Sequence, residues 1–140
     1  MKWMYRFSLF LAAGLTAAAP AALADGKVPL EQEAHINAQL TAAAAGDMLR
    51  NTCPTLSARV FVVWSKLTQL ENYARAQGYA EAEVKVFLKD KAQKARIKAA
   101  AQAYLAKAGA VEGDVESFCS AGRAEIEQST LVGSLLKSSN

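Results

Sequence analysis

Apolar residues recur along most of the chain at the three- and four-residue spacing of α-helices, and this pattern predicts an all-α protein. Ile36, Leu40 and Ala43 lie at i, i+4 and i+7 on one face. A first helix is therefore expected from Pro29 to about Arg50. Proline is favourable in the first turn because its missing N–H would have no helical partner there.

A second apolar stripe predicts a helix that opens near Ser57, with Thr55 or Ser57 as its N-cap, and that stops at Gly78. The run 60–64 has strong strand propensity, but the residues after it keep a helical period and no second strand is evident to pair with it. So continuous an apolar run predicts that other elements surround the start of this helix. The residues expected on its buried face are Val60, Val63, Trp64, Leu67, Leu70 and Ala74.

The rest of the chain predicts two further helices, then a fifth, and a short terminal turn. On one unbroken helix Lys94 would share the face of Phe87, so a break is expected between residues 89 and 91. Asp114 is the expected cap of the fifth helix, and a short helical turn over residues 129–136 is expected to dock on the core. The predicted fold is a small bundle of four to five helices. The aromatic residues assigned to its core are Trp64, Phe87, Tyr104 and Phe118.

The first 24 residues have the pattern of a signal peptide. Lys2 and Arg6 form a basic start, an apolar stretch covers residues 7–19, and Ala22 and Ala24 supply the small residues that a signal peptidase reads. The apolar stretch is shorter than the roughly 20 residues needed to cross a bilayer, which favours cleavage over a permanent anchor. We therefore expect an exported, periplasmic protein with a single helical domain over residues 25–140.

Cys53 and Cys119 are the two cysteines of the chain. Export places them where a disulfide can form and persist, and their wide separation is unlike the closely spaced pair of thiol-exchange enzymes. We expect a structural bond that ties the start of the bundle to its end. An intermolecular bond and two free thiols are the alternatives.

Charge limits the classes of partner. The leader holds two of the 16 basic residues and none of the 13 acidic ones, so the remaining chain has a net charge of +1. Neither this charge nor export favours nucleic acid as a partner. Residues 85–107 are mostly basic and residues 112–127 mostly acidic, so the two segments are expected to attract each other or to be solvated. A membrane surface or an acidic partner for the basic segment is the weaker alternative.

Residues with catalytic or ligand-binding potential do not form a recognisable motif in the sequence. His35 is the single histidine, and no nucleophile or second metal ligand lies beside it. Zinc spacings, phosphate-binding glycine loops and nucleophile elbows are missing. The sequence therefore predicts a non-enzymatic protein without catalytic residues, metal or cofactor.

A partner protein is the expected ligand, although the oligomeric state is left open. Some aromatic residues fall off the predicted core stripes, and several lysines lie together on the fourth helix. The possible interaction surface consists of Phe61, Tyr73, Tyr79, Lys91, Lys94 and Lys98.

Four stretches together resemble a family of small exported bacterial proteins known only as a domain of unknown function. They are TCPTLSAR at residues 52–59, YARAQGY at 73–79, FLKDKAQKARIK at 87–98 and FCSAGRAEI at 118–126. The resemblance covers nearly the whole chain after the leader and implies export, helical structure and the cysteine pair. It implies no activity. A looser likeness to the acid-stress chaperones of the periplasm rests on size, helical content and a single disulfide, and is an analogy.

Three hypotheses about function follow from these observations. The first is a periplasmic or envelope-associated factor that binds another protein through helix surfaces. The second is a chaperone activated by acid or stress, and the third is an inhibitor or immunity factor for an enzyme.

Overall fold

The computed structural model describes residues 26–139, and most of these residues are helical. A 3₁₀ turn, Leu30–Gln32, precedes the first α-helix. The helices are α1 (Ala34–Thr52), α2 (Val60–Ala76), α3 (Glu81–Lys89), α4 (Lys91–Lys107), α5 (Val115–Glu127) and α6 (Leu131–Ser134). Two short strands, β1 (Leu56–Ala58) and β2 (Leu136–Ser138), complete the fold. The predicted signal peptide over residues 1–24 lies outside the described residues.

The all-α class and the division between α3 and α4 are confirmed. Asp90 separates these two helices in an extended conformation, and its side chain accepts a hydrogen bond from the N–H of Gln93 at 2.8 Å. The carboxylate thus caps α4, as aspartate commonly does at a helix start. The break also places Phe87 in the core, 7% exposed, while Lys94 stays exposed.

Two predicted helix starts are wrong. Pro29 precedes the 3₁₀ turn, and α1 begins only at Ala34, where the Glu33 side chain accepts a hydrogen bond from the N–H of Ile36. The second helix begins at Val60, so neither Thr55 nor Ser57 caps it.

The segment in front of α2 is a strand because the chain end returns to pair with it. Strand β1 pairs antiparallel with β2, with Leu56 opposite Ser138 and Ala58 opposite Leu136. The sequence shows no obvious second strand, since β2 has only three residues. The continuous run over residues 60–64 is nevertheless helical, as predicted.

Buried side chains form two clusters. The main one joins α1, α4, α5, α6 and the two strands, and Leu49, Leu105 and Val132 are fully buried in it. The Cys53–Cys119 disulfide lies in this cluster and links the end of α1 to α5, which confirms the predicted bond. The second cluster joins the 3₁₀ turn, α1, α2 and α3. It contains Leu30, Ile36, Ala74, Tyr79 and Phe87.

Candidate interaction surface

Helix α2 is packed along its C-terminal half. Leu70, Tyr73 and Ala74 all belong to the second cluster, and Ala74 is only 4% exposed. A left-handed residue, Gly78, follows the end of the helix, and the N–H of Tyr79 donates to the carbonyl of Ala74 at 3.0 Å. This half of α2 therefore packs against residues of α1 and α3 in the second cluster.

The N-terminal half of α2 leaves its apolar side chains in solvent. Phe61 is 93% exposed, Trp64 72% and Val60 69%, with Leu67 at 48% and Val63 at 37%. The predicted burial of Val60, Val63, Trp64 and Leu67 is thus wrong. Helical periodicity identified the shared face correctly, but that face meets the rest of the molecule only toward Leu70 and Ala74. We call Val60, Phe61, Val63, Trp64 and Leu67 the α2 apolar surface.

A groove begins where the α2 apolar surface ends. It has a volume of about 230 Å³, and Leu67 belongs both to its wall and to the α2 apolar surface. A second cavity of about 380 Å³ lies between α1, α3 and α4. The two cavities share three lining residues, Leu40, Phe87 and Leu88. The apolar side chains of the first cavity are Leu30, Ile36, Leu40, Leu67, Leu70, Ala74, Tyr79, Val84, Phe87 and Leu88.

Hydrogen bonds accepted by Glu33, Glu83 and the carbonyl of Val28 hold the N-terminal segment beside this groove. The Tyr73 hydroxyl donates to Glu33 at 2.9 Å, and Lys27 Nζ donates to Glu83 at 2.9 Å. The Tyr79 hydroxyl donates to the carbonyl of Val28 at 2.6 Å. We call these three contacts the N-terminal brace, because they join the chain before α1 to α2 and α3.

The brace changes the pKa values of its members. Partial burial by itself raises the pKa of Glu33, but the hydrogen bonds from the N–H of Ile36 and from Tyr73 outweigh it, so this pKa is lowered. The Lys27 hydrogen bond lowers the pKa of Glu83. The carboxylate of Glu33 in turn raises the pKa of Tyr73, while burial raises that of Tyr79. Both carboxylates of the brace are therefore favoured in their charged form.

The residues predicted to form an interaction surface do not lie together. Phe61 is on the α2 apolar surface, Tyr73 is half-buried against the second cluster, and Tyr79 is 4% exposed and belongs to the core. Tyr79 is therefore not available to a partner. Lys91, Lys94 and Lys98 are all exposed on α4, and Lys94 and Lys98 border the second cavity.

Sequence reasoning missed Val60, Val63, Trp64 and Leu67 as surface residues. A signal was present, because the run over residues 60–64 is apolar on more than one side of the helix, but a deeply buried helix has the same pattern. Only the packing in three dimensions distinguishes an exposed apolar helix from a buried one. Within residues 26–139, Trp64 belongs to neither of the two buried clusters.

Tyr104 is a further departure from the predicted core, since it is 37% exposed. Its hydroxyl lies 2.9 and 2.8 Å from the two oxygens of Glu125, the buried charged residue of the described chain. Thr130 Oγ1 also donates to this carboxylate. Burial, and then the neighbouring Glu125, raises the pKa of Tyr104. The Tyr104 hydroxyl thus covers the buried Glu125 carboxylate and donates a hydrogen bond to it.

Other titratable residues are dispersed. His35 is exposed, and its ring lies 4.3 Å from that of Tyr73. Within residues 26–139, no three His, Cys, Asp or Glu side chains come close enough together to hold a metal ion. The ion pairs of this region are Lys27–Glu83, Arg50–Asp47, Lys85–Glu81 and Arg123–Glu116. None of them joins the basic 85–107 segment to the acidic 112–127 segment; the Tyr104–Glu125 contact does.

Comparisons with known proteins agree with the resemblance seen in the sequence. No curated protein and no solved structure matches the chain significantly. Among the helices of residues 26–139, none combines the length and apolar character needed to span a bilayer. The model of a family of unknown function, DUF5333, matches residues 28–137, which is most of the chain. The protein therefore belongs to this family of unknown function.

Proposed function

We propose that this protein is an exported, non-enzymatic interaction factor of the bacterial periplasm or envelope, and that the α2 apolar surface is its binding site for protein. The observation that carries the proposal is the exposure of Phe61 and Trp64 on a helix that is otherwise anchored to the core. Aromatic side chains bury about 150–250 Å² each, so these two alone expose on the order of 350 Å². Such a patch on a small domain is typical of a binding surface.

The form of this surface suits a protein ligand. Val60, Val63, Trp64 and Leu67 are spaced at i, i+3, i+4 and i+7, which is how an amphipathic helix engages an apolar groove or another helix. Tryptophan and aromatic residues also dominate the energetics of protein interfaces. Lys94 and Lys98 border the second cavity, which shares Leu40, Phe87 and Leu88 with the groove beside this surface.

Export is supported by the disulfide and by the leader pattern. A buried Cys53–Cys119 bond that closes a long loop is typical of proteins that fold in an oxidising compartment. A non-catalytic role is supported by the structural use of the carboxylates: Glu33 caps α1, Glu83 binds Lys27, and Glu125 binds Tyr104.

Photo-crosslinking in the native host tests the proposal. A benzoylphenylalanine residue is placed at position 61 of the full chain, and the matched control carries it at Val111, which is 59% exposed in the α4–α5 connection. We expect a discrete protein adduct from position 61 and none from position 111. Equal adducts, or an adduct to lipid alone, would overturn the proposal. An enzyme in the adduct would make the protein an inhibitor or immunity factor.

The N-terminal brace favours the acid-activated chaperone as a second candidate function. Glu33 and Glu83 hold the segment that borders the groove, and both have lowered pKa values. Their protonation in acid would release Lys27 and Tyr73 and open the second cluster to solvent. Suppression of client aggregation in acid but not at neutral pH would support this function. A Glu83→Gln variant should then be active at a higher pH. A protein that stays closed and inactive in acid would exclude it.

A further inference from the structure

We infer that the two cavities form one binding site for a fatty acid, with the carboxylate at Lys94 and Lys98 and the acyl chain in the groove between α1, α2 and α3. A fatty acid is a single apolar chain that ends in one negative charge. The inference goes beyond the proposed function, because neither Phe61 nor Trp64 lines either cavity. It names a small ligand for a different part of the molecule.

The second cavity has the composition of a small-molecule site. Its volume of about 380 Å³ lies within the range of roughly 300–1,000 Å³ that such sites have. Most of its lining is apolar, and a few charged side chains stand at its edge, which is also typical of such sites. The apolar lining residues are Leu40, Ala44, Met48, Phe87, Leu88 and Ile97.

The charges of the second cavity favour an anion. Lys94 and Lys98 are one helical turn apart on α4, and both are exposed. Among the described residues, no ion pair includes either lysine. The acidic lining residue, Asp47, already accepts hydrogen bonds from Arg50 at 2.9 Å and from Asn51 at 3.1 Å. A carboxylate therefore complements the two ammonium groups.

The groove supplies apolar space for the chain of the same ligand. Leu40, Phe87 and Leu88 line both cavities, so a chain that crosses these side chains keeps apolar contact from one cavity to the other. The charged residues of the groove are two acids and two bases, Glu71, Glu81, Arg75 and Lys85. Lys85 binds Glu81 at 2.6 Å. Without an excess of either charge, the groove suits the acyl chain, and the carboxylate belongs at the second cavity.

Isothermal titration calorimetry of the exported protein, purified from cells and delipidated, tests the site. The ligands are octanoate, decanoate and laurate, each below the concentration at which it forms micelles. Affinity should rise about fourfold for each added methylene that is buried. Decanol has the same chain as decanoate and no charge, so it should bind more weakly. Lack of binding by all three acids, or an affinity that does not change with chain length, would overturn the inference.

Lysine variants test the position of the carboxylate. Lys94→Gln with Lys98→Gln should weaken decanoate binding about tenfold or more, because charged hydrogen bonds are lost, and should leave decanol binding unchanged. The control, Lys91→Gln with Lys107→Gln, removes the same charge from exposed positions of α4 that line neither cavity. It should bind decanoate as the natural protein does. Equal weakening in both double variants would overturn the assigned site.

A variant of the shared lining tests the position of the chain. Leu88→Asn should weaken the binding of decanoate and decanol alike, because Leu88 lines both cavities. The control Val86→Asn lies on the same helix, lines neither cavity and should bind both normally. Leu88 and Val86 are 39% and 71% exposed, so circular dichroism should show equal helical content. Normal binding by Leu88→Asn would overturn the inference, as would binding to phosphatidylglycerol vesicles without binding to free decanoate.

Discussion

Leu56 lies directly against Gly122, so closely that a Cβ atom on Gly122 would come within 2.2 Å of Leu56 Cδ1. Leu56 is in β1 and Gly122 is one turn after Cys119 on α5. The small residue therefore lets α5 approach the strand at the place where the disulfide joins the two halves of the chain. This contact positions β1, and through β1 the start of α2.

Gly122→Ala should destabilise the fold by about 1–3 kcal/mol, because Leu56 is 4% exposed and has little room to move. Gly46→Ala is the matched control in another buried helix position, where a Cβ would meet Leu135 and Leu136 at 3.9 and 4.0 Å, an ordinary contact. That change should stabilise the protein by about 0.5–1 kcal/mol. Chemical denaturation measures both; a Gly122→Ala variant as stable as the natural protein would contradict the packing.

Loss of the disulfide should lower the free energy of unfolding by about 4 kcal/mol, because Cys53 and Cys119 are 66 positions apart and their bond restricts the unfolded chain. Replacement of both by alanine, followed by urea denaturation, measures the change. The reduced natural protein provides a control that leaves both residues in place. An unchanged denaturation midpoint in both samples would show that the bond does not contribute to stability.

Tyr104→Phe should destabilise the protein by about 1–2 kcal/mol, since it removes a hydrogen-bond donor from the buried Glu125 carboxylate. The double variant with Glu125→Gln should lose less than the sum of the two single changes, because the residues interact directly. A double-mutant cycle from denaturation midpoints measures this coupling. Strict additivity would contradict the contact.

Stability should fall as the pH is lowered through the range in which Glu33 and Glu83 protonate. Both pKa values are lower in the folded protein than that of an unperturbed glutamate, about 4.3. Their contribution to stability is therefore complete above the unperturbed pKa and is lost as the pH falls through the folded pKa. Glu83→Gln should reduce the pH dependence, and Glu127→Gln, at an exposed position, is the control. Thermal unfolding at a series of pH values measures this dependence. The same change of melting temperature with pH in the natural protein and in both variants would contradict the stabilising role of the N-terminal brace.

Local signals in the sequence predicted much of the fold. Asp90 and Gly78 mark helix boundaries by capping and by backbone conformation, and Cys119 lies on a clear apolar stripe, so these features needed no tertiary information. Strand β1 was missed because its partner is 80 residues away in the sequence and only three residues long.

The candidate site was predicted only in part, for a physical reason. Phe61 was identified because it falls off the main stripe of α2. Trp64 was assigned to the core because hydrophobic periodicity identifies a face but does not say what covers it. On α2 the same face is buried at Ala74 and open at Trp64, and only the three-dimensional arrangement shows where the change occurs.

The most direct measurement of the central claim uses Trp64 itself, which is the only tryptophan in residues 25–140. Its fluorescence reports whether the α2 apolar surface is free or covered. We predict that the emission shifts to shorter wavelength and that acrylamide quenching decreases when the protein captured by the position-61 crosslink is added. A Trp64 that remains solvent-exposed and freely quenched with that protein in excess would contradict the account.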